Sequence, residues 1–137
     1  MKKIFLGGSV TGTNPLYGWR GKLIPMLQIE YFNPVVKNWN EKAIKEEYRQ
    51  KNDVCNLGLF VITPDMDGYF SIAEAIDFSN KKPNGAIFCV INETFENNKK
   101  FDSNQIESLN NVGLLVEKNG GKYFKSLEEI VHYINQK

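Results

Sequence analysis

The chain is poor in the side chains that most often do chemistry. It has two cysteines and one histidine in 137 residues. Cys55 and Cys89 stand in apolar or near-apolar surroundings. With no CxxC pair and no Cys/His cluster, no structural zinc site is expected and buried free thiols are the reading. His132 falls off the apolar stripe of the last helical segment, which leaves no base for a serine or cysteine nucleophile. No HExxH or Walker A signature occurs, and Gly7, Gly8 and Gly12 do not fit the dinucleotide GxGxxG spacing. Charge of one sign is lacking too. Seventeen basic side chains meet sixteen acidic ones, a net charge of +1. That balance argues against a nucleic acid polymer as partner, because backbone binding needs a concentrated basic face. No apolar run approaches the roughly twenty residues that span a bilayer, so no membrane role is expected. The N-terminal MKKIFLGG begins like a signal peptide, but its apolar stretch is too short and glycine follows at once. The expected compartment is the cytoplasm, and no cofactor or metal is called for.

What is present is an ordinary globular composition, 42% hydrophobic and 24% charged, enough for one core in one domain spanning 1–137. Two kinds of segment alternate. Short apolar blocks at Lys3–Gly8, Glu30–Val35, Leu57–Thr63, Ala86–Ile91 and Gly113–Val116 predict strands, most of them covered on both faces. Helical segments fall between them. One lies near Tyr17–Gln28, interrupted by Pro25. Glu41–Lys51 is highly charged and reads as an exposed helix. Ser71–Ser79 is short, and Asp102–Asn110 has weaker periodicity. The last helix carries Leu127, Ile130, Val131 and Ile134 at i, i+3, i+4, i+7, with Ser126 as N-cap and Glu129 three residues on. Lys118–Gly121 reads as a turn ahead of Lys122–Lys125. Strand alternating with helix implies a parallel sheet with right-handed crossovers. The expectation is an α/β, flavodoxin-like three-layer sandwich, its five-stranded parallel sheet ordered 2-1-3-4-5 with helices on both faces.

In such a sheet the useful positions are the C-terminal ends of the strands. The first loop offers Gly7, Gly8, Ser9 and Thr11, then Trp19 and Arg20. The second offers Asn33 and Pro34. The third offers Asp65, Asp67, Gly68, Ser71 and Glu74. These groups suit a polar, sugar-like ligand: glycines admit close backbone approach, carboxylates and amides grip hydroxyls, and an aromatic covers a ring. Each also has an ordinary structural reading. Ser71-Ile72-Ala73-Glu74 is a capping box in which Glu74 reaches back to the Ser71 N–H. Asp65 and Asp67 form turns as readily as sites. Ser9, Thr11 and Arg20 can bind phosphate or simply be solvated. Trp19 and Trp39 suit packing as well as stacking, Met26 and Met66 fill gaps, and Arg49 sits in a charged helix exposed to solvent.

Four segments, KIFLGGSVTGT (3–13), WRGKLIP (19–25), YFNPVV (31–36) and VITPDMDGYFSIAEAIDFS (61–79), are those in which the chain resembles the nucleoside 2-deoxyribosyltransferase-like family; the end of the chain, 113–134, also fits. The resemblance implies cleavage of a nucleoside's N-glycosidic bond and a homo-oligomeric, cytoplasmic enzyme of nucleotide metabolism. Glu74 occupies the place of the glutamate that attacks the anomeric carbon in a retaining double displacement. Asp67 or Asp65 would orient the sugar or handle the base proton, and Ser9, Thr11 and Arg20 would meet a phosphate if the substrate is a nucleotide. Similar sequences carry aspartate where this chain has Gly18 and Asn56. The Asn56 amide can grip a hydroxyl but neither takes a proton nor holds a negative charge.

Three functions therefore stand side by side. The first is deoxyribosyl transfer between bases. The second is hydrolysis of a nucleoside or nucleotide, in which water accepts the sugar. The third is a nucleotide-binding module that kept the fold and lost the chemistry. A receiver-like signalling domain fits poorly, because Gly7-Gly8-Ser9 stands where its acidic cluster would be.

Overall fold

The computed structural model describes residues 2–9, 18–35, 39–66, 69–92, 94 and 98–136. Five strands, β1 (Lys3–Gly8), β2 (Glu30–Phe32), β3 (Leu57–Ile62), β4 (Ala86–Val90) and β5 (Lys122–Phe124), form one sheet in the order β2-β1-β3-β4-β5. Every pairing is parallel, so the α/β flavodoxin-like arrangement read from the sequence is the one observed. The three central strands are buried throughout apart from Lys3, as continuous apolar blocks require.

Alternation along those strands builds two cores. Ile4, Leu6, Leu57, Leu59, Val61, Ile87 and Cys89 point to one face. There they meet Trp19 and Leu23 of α1 (Trp19–Leu23) and Leu127, Ile130 and Ile134 of α5 (Leu127–Asn135). Phe5, Phe60, Ile62, Ala86, Phe88 and Val90 point to the other. They pack on Ala75 and Phe78 of α3 (Phe70–Lys81) and Leu109 and Val116 of α4 (Ser103–Lys118). Both cysteines are free and buried, and burial pushes both thiols up, away from the thiolate form.

Helix ends follow local chemistry. Asn40 caps α2 (Glu41–Arg49), its Oδ1 accepting from the Ala43 N–H at 2.9 Å. Ser126 caps α5 through the Glu129 N–H, as its sequence predicts. Asp102 and Gln105 close a capping box on α4. Pro25 ends α1 in a single 3-10 turn. β2 stops at Phe32, short of the expected Val35, because Asn33 turns the chain by accepting the Val35 N–H.

The fifth strand is the main correction. Gly113–Val116, expected as a strand, lies inside α4, and the strand is Lys122–Phe124. Leu109, Gly113 and Val116 are buried on one helical face, while Leu114 and Leu115 are exposed. The apolar block is the overlap of a buried stripe with two solvent-facing leucines. Gly113 is where α4 crosses the Tyr123 ring, and a Cβ there would lie 2.5 Å from it.

Candidate functional site

A cleft of about 620 Å³ opens at the C-terminal end of β1. Gly7, Gly8 and Ser9 form its floor. Pro34, Val35 and Trp39 stand on the β2 side, Ile44, Glu47 and Tyr48 come from α2, and Met66, Phe70, Ser71 and Glu74 come from the β3–α3 side. Such a volume suits a small organic ligand.

The floor is built by close backbone approach. Gly8 has φ +115°, and a Cβ there would lie 2.2 Å from the Val61 carbonyl oxygen. Ser9 clamps β1 to β3 twice: its N–H donates to the Val61 carbonyl and its Oγ accepts from the Thr63 N–H at 3.0 Å. The Ser9 carbonyl in turn accepts from the Trp19 indole N–H at 3.0 Å and from Arg20 Nη1 at 2.8 Å. Arg20 also donates Nε and Nη2 to the Leu6 carbonyl. Its guanidinium lies 4.2 Å from the centre of the Trp19 ring. Arg20 is therefore neither a solvated loop residue nor a free cation held out to a phosphate. It is buried and laces the end of β1 to α1 while one side lines the cleft. Burial pushes it down to about 9, against the opposing pull of Glu47, and it keeps its charge at neutral pH.

Glu74 does not close the capping box that its spacing predicts. The first turn of α3 follows Tyr69 and has no side-chain cap. Instead Glu74 Oε2 accepts from Lys51 Nζ at 2.5 Å, in a pair whose side chains are only 7% and 13% exposed. A tertiary ion pair in a partly desolvated site outweighs one more hydrogen bond to a helix end. No described residue donates to Oε1. Because no buried side-chain oxygen among the described residues lacks a partner, that oxygen is open to the cleft.

Lys51 reaches Glu74 because α2 does not end at Arg49. It continues as a π turn over Gln50–Val54, a form that recurs at functional sites. Lys82 Nζ pins this turn by donating to the carbonyls of Lys51 and Cys55. Ile44, Glu47, Tyr48 and Lys51 then stand at i, i+3, i+4 and i+7 on the face of α2 toward the cleft. Desolvation first, and the Glu74 charge second, raise the Glu47 carboxyl above its ordinary value, while Lys51 and Arg20 pull it back.

Of the residues singled out from sequence at the strand ends, the cleft brings together Gly7, Gly8, Ser9, Arg20, Pro34, Ser71 and Glu74. Trp19 is a packing residue, 3% exposed, which touches the site through the Ser9 carbonyl and through the Arg20 guanidinium stacked on its ring. The Asn33 amide oxygen is used in its own turn. Asn56 immediately precedes β3, at the N-terminal end of the strands and away from the cleft, where its Oδ1 accepts from the Lys3 N–H. A parallel sheet separates strand starts from strand ends, so Asn56 cannot share a ligand with Glu74. Asp65 is buried beside Lys99 Nζ at 3.7 Å and does not line the cleft. Asp67, Gly68 and Thr11 lie outside the described residues. Trp39, read from sequence as suited to packing or stacking, lines the cleft, as do Glu47, Tyr48, Lys51 and Phe70, to which the sequence reading gave no place in it. The signal was there for α2: two large apolar side chains, Ile44 and Tyr48, four residues apart in a helix whose other residues, Ala43 apart, are all charged.

Among the described residues no group of three or more His, Cys, Asp or Glu side chains could hold a metal ion, and no helix is long and apolar enough to cross a membrane. Neither protein-family models nor curated protein sequences match this chain.

Proposed function

We propose that this cleft cleaves the N-glycosidic bond of (deoxy)nucleosides with Glu74 as the nucleophile, passing the sugar to a second base or to water. One observation carries the reading. Glu74 is a nearly buried carboxylate with one oxygen held by Lys51 and the other open to a cleft of ligand size. Attack on C1′ forms a glycosyl ester at that open oxygen, the C1′–N bond breaks, and the base leaves with the bonding pair and a proton. The ester consumes the negative charge that Lys51 faces. Its return when the acceptor attacks restores the ion pair, which favours release of the sugar. Gly7 and Gly8 let the sugar approach the floor, and Trp39, Tyr48 and Phe70 offer flat apolar surface to a base. Cytoplasmic location and homo-oligomeric assembly belong to the same proposal.

The test is incubation with deoxynucleosides in the presence and absence of a second base. Exchange of base signals transfer, and free base without exchange signals hydrolysis. Glu74→Gln is expected to lower turnover by a factor on the order of 10⁴ or more, because removing a nucleophile removes the pathway. Full activity in that variant, or no turnover of any nucleoside by the unaltered protein, defeats the assignment.

The short Lys51 contact also favours a second reading, a module that binds nucleotides without turning them over. An ammonium at 2.5 Å competes for the electron pair that the attack needs. Calorimetry showing binding without turnover, unchanged in Glu74→Gln, would select it.

A further inference from the structure

We propose that Glu47 of α2 is the acid that protonates the departing base and the base that deprotonates the incoming acceptor. This rests on the glycosidic reading of Glu74 and adds the second carboxylate that such a displacement uses. Glu47 lines the same cleft as Glu74 but comes from a different element. It stands one helical turn before Lys51, whose ammonium holds Glu74, so a single stretch of α2 and its π turn carries both the proposed proton carrier and the partner of the nucleophile. Of the two aspartates the sequence offered for this task, Asp65 is buried outside the cleft and Asp67 lies outside the described residues.

The environments of the two carboxylates differ in the way their two tasks require. Glu74 is in direct contact with a cation. Glu47 is half-buried and faces the Glu74 carboxylate of α3, with Lys51 of the π turn and Arg20 of α1 as the opposing charges. Desolvation and the Glu74 charge outweigh them and favour its protonated form. In the first half-reaction the Glu74 oxygen bonds to C1′ and the C1′–N pair goes to the base, which takes the proton of the Glu47 carboxylic acid. In the second half-reaction the acceptor's N–H or O–H gives its proton to the Glu47 carboxylate, its lone pair bonds to C1′, and the ester oxygen of Glu74 leaves with its electrons. Both groups end as they began.

Two substrates separate proton donation from a structural role. In 2′-deoxyguanosine the base must be protonated as it leaves. In 7-methyl-2′-deoxyguanosine the base is already cationic and leaves without a proton. Glu47→Gln, with folding checked by circular dichroism, is expected to lose about 100-fold or more in kcat/KM on 2′-deoxyguanosine and to stay within about threefold on the methylated substrate, after spontaneous cleavage is subtracted. The unaltered protein supplies an independent measurement. Its kcat/KM on 2′-deoxyguanosine should fall as pH rises through the titration of Glu47, while that on the methylated nucleoside should lack this limb. An equal loss on both substrates, or identical pH profiles, overturns the role of Glu47 and leaves Glu74 as nucleophile standing. Release of base from neither nucleoside by the unaltered protein overturns both.

Discussion

The Lys51–Glu74 pair is the residue-scale feature on which the site turns. Both side chains have left most of their hydration shell, and each is worth keeping only while the other is present. Lys51→Met leaves a nearly buried carboxylate in the cleft without its counter-charge. It is expected to lower unfolding free energy by about 3 kcal/mol, the usual scale for removing one partner of a buried pair. Urea denaturation of Lys51→Met, Glu74→Gln and the double variant checks this. The double variant should be less destabilised than the sum of the two single losses, and strict additivity would show that the contact contributes nothing. The spacing Ser71-x-x-Glu74 made the position of the glutamate legible. Its partner was not, because a local capping rule cannot know that a lysine 23 residues earlier in the chain is brought to 2.5 Å.

Elements were legible where periodicity and ends agreed, and ambiguous where an apolar block was short. α5 carries its stripe, its Ser126 cap and its acidic first turn together. The Gly113–Val116 block carried only hydrophobicity, and a buried helix segment and a buried strand look alike in such a window. What makes it helical is its continuation from Asp102 and the crossing of α4 over β5 at Gly113. Gly113→Ala places a methyl group against the Tyr123 ring, where a Cβ would come within 2.5 Å. The gain in helix propensity is smaller than the overpacking it causes, so a net loss of about 1–2 kcal/mol is expected. A thermal melt showing equal or greater stability would mean that the ring moves aside without cost.

For the molecule as a whole, acid stability should be set by two adjacent glutamates that act in opposite directions. The Arg49 guanidinium, then the Gln50 amide, hold the exposed Glu46 carboxyl down at about 2 from an ordinary 4.5. A carboxyl lowered on folding contributes stability that is present above its ordinary value and is lost as pH falls through the lowered one. Glu47 is raised on folding, so its contribution is present below the ordinary value and is lost as pH rises through the raised one. The urea midpoint measured against pH should therefore lose its slope between about 4.5 and 2 in Glu46→Gln. It should lose a slope of opposite sign, at higher pH, in Glu47→Gln. Unchanged profiles in both variants would show that the unfolded chain holds the same interactions.

By itself the sequence determined the class of fold, the order of the sheet and the end of the sheet where the cleft opens. Those follow from apolar blocks, helical stripes and the handedness of crossovers, which are local or nearly local in the chain. It also marked Gly7, Gly8, Ser9 and Glu74, since strand ends and first helical turns have recognisable neighbours. Only the tertiary structure decided that Arg20 laces the floor, that Asn56 belongs to the opposite end of the strands, and that α2, read as a solvated helix, and its π turn bring Glu47 and Lys51 into the cleft. These depend on which surfaces meet after the chain has crossed the sheet. A charged residue looks the same in sequence whether it faces water or another charge.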